Sequence, residues 1–156
     1  MVLRRIAEML FPSDEAANAP HDQEQVALAT CVVLLEAAKA DATFTEVERR
    51  HILDVIARRF ALDDEAAEEL LGEALTAREE STDLWRFTHA INKAFMPQEK
   101  IEIIEEVWRI VLSDGVLSGH EDGLAHQLRH LLNLNHPQLI GAKMKVLGEI
   151  RGENPE

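Results

Sequence analysis

The chain has 156 residues and very few of those that interrupt or cross-link a fold: seven glycines, five prolines, one cysteine and no tyrosine. The single cysteine, Cys31, excludes an intrachain disulfide. Its place within the apolar stretch VALATCVVLLEAA predicts a small buried thiol. Glycine and proline are the strongest breakers of regular structure, so their scarcity predicts long elements. The remaining composition, rich in Ala, Leu, Ile, Val, Glu, Arg and Gln, consists mostly of helix formers.

Basic residues are also in short supply, with 16 against 29 acidic residues and a net charge of −13. This balance argues against nucleic acid and anionic membranes as partners, because both require clustered Lys and Arg. It is compatible with cation binding or with solvated helix faces. The longest apolar run, residues 26–35, is too short for a bilayer needing about 20 residues, so no integral membrane association is expected. No signal-peptide pattern is present, and we expect a cytoplasmic protein.

The periodicity of the apolar residues predicts an all-α fold, a single-domain bundle of about seven to eight helices with pseudo-twofold internal duplication. No segment alternates with period two, so no sheet is expected. We expect residues 1–21 to form a short helix and linker, residues 22–150 the helical domain, and residues 151–156 a polar tail. The predicted helix caps are Asp63 or Asp64, Ser81 or Thr82, and Asn135, with Pro97 in a first turn. The predicted inner side of the last helix is Leu139, Ile140, Met144 and Leu147.

Residues 3–10 form a short segment that is faintly amphipathic and basic. Leu3, Ile6 and Leu10 share one side of a helix, and Arg4 and Arg5 supply the charge. Docking on a membrane surface or on a partner protein is one interpretation. Packing of this helix on its own domain is the interpretation we expect, with the small polar residues 12–20 as its linker.

One acidic pattern occurs twice, as DATFTEVE at residues 41–48 and as DGVLSGHE at residues 114–121. The corresponding pairs are Asp41 with Asp114, Phe44 with Leu117, Thr45 with Ser118, and Glu48 with Glu121. Each copy follows an apolar segment and precedes an amphipathic one. The next predicted helix after each copy also corresponds, residues 63–77 in the first half with residues 135–147 in the second. The sequence therefore predicts two three-helix units joined by a helix within residues 81–95.

Part of each copy has a local structural explanation. Thr45 with Glu48, and Ser118 with Glu121, match the capping box, in which the hydroxyl accepts the N–H three residues on and the glutamate accepts the N–H of the cap. The apolar residue before each cap is expected to steer the entry of the chain into the helix. These residues alone therefore predict two helix starts and no chemistry.

The capping box does not require the aspartates Asp41 and Asp114. Either of them could simply bond backbone N–H groups in a turn. Alternatively, the oxygens of each copy could hold a hard divalent cation of the Ca²⁺ or Mg²⁺ type. The candidate ligands are Asp41, Thr43, Thr45 and Glu48 in the first copy, and Asp114, Ser118, Glu121 and Asp122 in the second. Neither copy has the twelve-residue spacing of an EF-hand.

The duplicated motif resembles that of the TerB-like family, whose namesake is the tellurite-resistance protein TerB. The resemblance rests on three segments: residues 40–48, which begin ADA and end at Glu48; residues 113–121, which begin SDG and end at Glu121; and residues 97–115, PQEKIEIIEEVWRIVLSDG. The first copy departs from the family pattern by Ala for Gly, and the second by Ser for Ala. The resemblance covers residues 25–147. It implies an all-helical, duplicated domain that acts in bacterial tellurite or other chemical stress, with divalent-cation binding through Asp41, Glu48, Asp114 and Glu121.

A separate set of possible ligands is Asp122, His126 and His130, which share one helix face at four-residue spacing. They suit Zn²⁺ or Ni²⁺ in type, but this face is opposite the leucine side and is expected to be exposed. No phosphate loop, nucleophile elbow or Cys–His pairing is present, so we expect no catalytic residues, no organic cofactor and no enzyme. The sequence predicts a non-enzymatic stress-response module that binds a divalent cation, an unidentified protein partner, or both. The alternatives are a pure interaction scaffold whose motifs only cap helices, and a metal-dependent hydrolase.

Overall fold

The computed structural model describes residues 19–39, 44–112 and 119–152, and the side chains of residues 19–22 and 119–122 lie outside this description. These ranges contain seven α-helices and no strand, which confirms the all-α fold. The helices are α1 Ala19–Lys39, α2 Glu46–Phe60, α3 Asp64–Glu79, α4 Trp85–Ala94, α5 Pro97–Val111, α6 Gly119–Leu131 and α7 His136–Ile150. The predicted helix at residues 3–10 and the tail at 153–156 lie outside the described residues. None of the described helices combines the length and apolarity needed to cross a bilayer.

The first of two central helices is α1, which packs against α2, α3, α4 and α5. From Val26 to Leu35 every side chain except Leu28 is buried. This follows from the sequence, because a helix that is apolar nearly all round has no face to give to water. Cys31 lies in this stretch and is fully buried, as predicted. Burial raises the pKa of its thiol, because the thiolate loses its hydration.

The second central helix is α5, which contacts α1, α6 and α7. Its buried residues include Ile104, Val107 and Trp108, each with no exposed surface. The Trp108 indole N–H donates to the Leu139 carbonyl oxygen at 3.2 Å, so burial of the ring leaves no unpaired donor. The other helices pack around α1 and α5, and this pair forms the centre of the bundle.

Most helix starts follow the predicted capping chemistry. Asp63 is the cap of α3, with its Oδ1 accepting the Ala66 N–H at 2.7 Å. Asn135 caps α7 in a reciprocal box with Gln138. Pro97 is the first residue of α5, where its missing N–H removes no helical hydrogen bond. Local side-chain chemistry is sufficient to set these three boundaries.

Three predicted features differ from the structure. Helix α1 begins at Ala19, within the predicted linker, because a proline in the first turn is compatible with a helix. Neither Ser81 nor Thr82 caps α4: the Ser81 hydroxyl donates back to the Ala77 carbonyl oxygen, and the cap position is Leu84. Met144 is 57% exposed, because the inner side of α7 is formed by Leu139, Ala142 and Val146.

Candidate functional site

The first acidic helix start forms the predicted capping box at the beginning of α2. Thr45 Oγ1 accepts the Glu48 N–H at 3.1 Å, and Glu48 Oε1 accepts the Thr45 N–H at 2.9 Å. The Thr45 hydroxyl also donates to the same Glu48 Oε1 at 3.1 Å. The equivalent box at Ser118 and Glu121 lies outside the described side chains and stays a prediction.

The Glu48 carboxylate is buried, with 7% of its surface exposed, but its capping bonds use one oxygen only. Among the described residues, Oε2 of Glu48 has no hydrogen-bond partner and no ion pair. A carboxylate offers about four lone-pair positions on its two oxygens. Capping therefore leaves half of this carboxylate available, and the structural role of Glu48 does not compete with a role as a ligand.

The apolar residues of the first motif are exposed. Phe44, expected to steer the chain into α2, is 36% exposed, and Val47 is 76% exposed. A hydrophobic staple would pair Phe44 with an apolar residue at the fourth helical position, but that position is Arg49, which pairs with Glu68. Phe44 and Val47 therefore each expose apolar surface within the first motif, on either side of the cap residue Thr45.

Polar side-chain contacts between α2 and α5 show how the two helices run relative to each other. His51 Nε2 lies 3.2 Å from Glu106 Oε1, and further along α2 the Arg59 guanidinium donates to Glu102 Oε1 at 3.1 Å. Residue numbers rise along α2 while they fall along α5, so the two helices run antiparallel. The start of α2, at Thr45, accordingly lies toward the end of α5.

This antiparallel arrangement has a consequence for the two acidic segments. Residues 40–43 connect the end of α1 to the start of α2, and residues 113–118 connect the end of α5 to the start of α6. The start of α2 and the end of α5, from which these two connections extend, therefore lie at the same end of the bundle. Of the predicted ligands, Asp41, Thr43, Asp114 and Ser118 lie outside the described residues. Glu121 and Asp122 belong to α6, but their side chains are outside the description, so Thr45 and Glu48 are the two whose contacts are known.

An ion-pair network lies next to this end of the bundle, on α2, α5 and α7. Arg109 donates to both carboxylate oxygens of Glu149 at 2.9 Å and lies 3.0 Å from Glu106. These carboxylates raise the pKa of the Arg109 guanidinium, Glu149 foremost by its hydrogen bonds. Partial burial acts to raise the pKa of Glu106, but hydrogen bonds and charge from His51 and Arg109 outweigh it and lower that pKa. The network fixes the end of α5, from which the second acidic segment continues.

The predicted exposure of the α6 histidines is correct for His130 but not for His126. His130 is exposed, but His126 is half-buried, because its ring stacks on that of His136 at the start of α7, with centroids 5.9 Å apart. The Asp122 side chain lies outside the described residues. Among the side chains that the structure does describe, no group of three or more His, Cys, Asp and Glu could hold a metal ion.

The chain is an all-α domain whose two central helices, α1 and α5, are each followed in sequence by a predicted acidic segment. The family comparison is more specific. The family described as tellurite resistance protein TerB matches residues 27–144, well over half of the chain, and the chain therefore belongs to that family. A search of the curated proteins gave no significant match, and neither did a search of the solved structures.

Proposed function

We propose that this chain is a non-enzymatic TerB module that binds a divalent cation of the Ca²⁺ or Mg²⁺ type through Asp41, Glu48, Asp114 and Glu121. The observation that carries the proposal is the Glu48 carboxylate, which caps α2 with Oε1 and keeps Oε2 without a partner among the described residues. Membership of the tellurite resistance protein TerB family supports a role in the response to tellurite or another chemical stress.

The chemistry of the four side chains supports a hard cation. Carboxylate oxygens are the preferred ligands of Ca²⁺, which takes six to eight oxygens, and of Mg²⁺. In the proposed site, four carboxylates would share one end of a chain whose net charge is −13, where their like charges would repel one another. A bound divalent cation would neutralise half of the charge of these four groups, which gives binding a favourable electrostatic contribution.

A protein partner at the same end is the second candidate. It is favoured by the exposure of Phe44 and Val47 next to the capping box, because exposed apolar side chains grouped beside charged ones are typical of interaction surfaces. In the scaffold version of this function, the acidic motifs only cap helices and the partner binds without any ion. The two candidates are separated by whether an ion binds to the isolated chain.

Calorimetric titration with Ca²⁺, Mg²⁺, Mn²⁺ and Zn²⁺ tests the proposal on the wild type and on the double variant Asp41→Asn/Asp114→Asn. The matched control is Asp54→Asn/Asp64→Asn, which removes two charges at exposed positions on α2 and α3. We expect saturable binding by the wild type and the control, and loss of binding in the motif variant.

Absence of both heat and thermal shift at millimolar ion would rule out cation binding and leave the scaffold. Equal loss of binding in the control would show a general charge effect and no defined site. The non-enzymatic part of the proposal is contradicted by turnover of any substrate that disappears in the His126→Ala variant, as the hydrolase alternative requires.

A further inference from the structure

An acidic groove lies between α1 and α3, away from the predicted cation site. Its volume is about 540 Å³, and it is lined by Leu28, Thr76, Ala77, Glu69, Glu73 and Glu80. Leu28 is the one residue in the apolar centre of α1 that is not buried, and it forms part of the groove floor. The glutamates recur at spacings of four and seven residues, which places them along one face of α3. The groove therefore combines an apolar floor with a row of carboxylates.

This pattern fits a short helix that is apolar on one side and carries positive charge. At 1.5 Å per residue, the row from Glu69 to Glu80 is about 16 Å long, and a helix of eight residues is about 12 Å long. In this acidic chain, residues 3–10 have the complementary composition. The segment reads LRRIAEML, with Leu3, Ile6 and Leu10 at helical spacing and with Arg4 and Arg5 adjacent.

The covalent connection is long enough to bring this segment to the groove. Helix α1 begins at Ala19, and Leu28 lies nine residues further on, a distance of about 13 Å along the helix. Residues 11–18 span up to about 26 Å when extended. A segment joined by so short a linker has an effective concentration in the millimolar range, so an intrinsic Kd below about 1 mM is enough to keep it mostly bound.

We propose that residues 3–10 of the same chain bind in the groove between α1 and α3. Their apolar side covers Leu28 and Ala77, and their arginines pair with the carboxylates of α3. The bound segment covers Leu28, the one residue in the apolar centre of α1 that is not fully buried. Charge selects this occupant over an anionic membrane, because the surface around the groove is itself negative and repels anionic lipid.

Disulfide trapping in the full chain tests the proposal. Ile6→Cys is combined with Thr76→Cys in the groove, and the control combines Ile6→Cys with Asp54→Cys, an exposed position on α2. The native Cys31 is buried and does not compete. Under mild oxidation we expect an intrachain disulfide, seen by mass and peptide mapping, in the groove pair and much more slowly in the control pair. Equal rates in the two pairs, or disulfides between two copies of the chain, would overturn the proposal.

Charge reversal tests the role of the arginines separately. Arg4→Glu/Arg5→Glu in the groove pair should slow trapping about fivefold, the size of effect that partly exposed ion pairs give. Adding Glu69→Lys/Glu73→Lys should restore the rate. An unchanged rate would contradict the assigned charge pairing. Co-sedimentation of the wild type with phosphatidylserine vesicles, abolished by the arginine variant, would assign the segment to a membrane surface and contradict the proposal.

Discussion

Lys100 offers the most direct check of how the bundle is held together. It is a buried lysine at the start of α5, 7% exposed, whose Nζ donates to the Leu132 carbonyl oxygen at 2.9 Å and to Asn92 Oδ1 at 3.2 Å. Asn92 in turn donates to the Leu131 carbonyl oxygen at 2.9 Å. These bonds satisfy carbonyls at the end of α6, where a positive charge also interacts favourably with the helix dipole. The lysine thereby ties α4, α5 and α6 together.

Replacement Lys100→Met keeps an unbranched side chain, one atom shorter than lysine, and removes both bonds. A hydrogen bond from a charged group contributes about 1.5–3 kcal/mol, and the helix dipole adds about 0.3–1 kcal/mol. Removal of a buried charge recovers part of this, so we expect a loss of about 2 kcal/mol in the free energy of unfolding. For a chain of this size, that corresponds to a decrease in Tm of roughly 4–8 °C.

Urea unfolding followed by circular dichroism measures the loss. The control is Lys93→Met, since Lys93 is exposed on α4, and its replacement should change stability by less than about 0.5 kcal/mol. An unchanged midpoint for Lys100→Met would refute the account, because it would mean that the end of α6 does not depend on this contact. Equal losses in the two variants would refute it as well.

Two further predictions concern buried and paired groups. The Cys31 thiol should resist alkylation by iodoacetamide in the native protein and react fully in denaturant, because it is buried and its pKa is raised; rapid labelling of the native protein would contradict the burial of α1. Replacement Arg109→Met should destabilise the protein at pH 7 by about 1 kcal/mol. The pKa values of Glu106 and Glu149 are lowered in the native state, so the stability from these pairs is present above their ordinary value near 4.5 and is lost as pH falls below it. The stability difference between wild type and variant, measured by urea unfolding from pH 7 to pH 3, should therefore shrink with acidification, and a constant difference would show that the pairs do not form.

The features that the sequence predicts correctly are those decided within a few residues. The caps at Thr45, Asp63 and Asn135 depend on bonds that reach three residues along the chain. The burial of α1 follows from apolar residues on nearly all sides of one helix, and that of α5 from its apolar residues at helical spacing. The start of α4 could not be predicted in the same way, because the Ser81 hydroxyl donates backward to the Ala77 carbonyl oxygen and the helix begins after Leu84 without a side-chain cap.

Features that depend on contacts between helices could not be predicted from one sequence. The inner side of α7 includes Ala142, a residue too small to stand out in a pattern of large apolar side chains, and this shifts Met144 to the surface. The antiparallel contact of α2 with α5 joins His51 to Glu106, residues far apart in sequence. The division of the Glu48 carboxylate into a capping oxygen and an oxygen without a described partner is a matter of geometry that residue types do not determine. The internal duplication stays a prediction.

The most direct test of the central claim is a comparison of Glu48→Gln with the wild type by thermal unfolding, with and without millimolar Ca²⁺. Glutamine preserves the capping box, since its amide oxygen accepts the same N–H, but it removes the charge that a cation requires. We predict that Glu48→Gln without ion unfolds within about 0.5 kcal/mol of the wild type, whereas Glu48→Ala loses about 1 kcal/mol with the cap. We predict further that Ca²⁺ stabilises the wild type and has no effect on Glu48→Gln. An equal stabilisation of both proteins by Ca²⁺ would contradict the claim that Glu48 is at once a helix cap and a cation ligand.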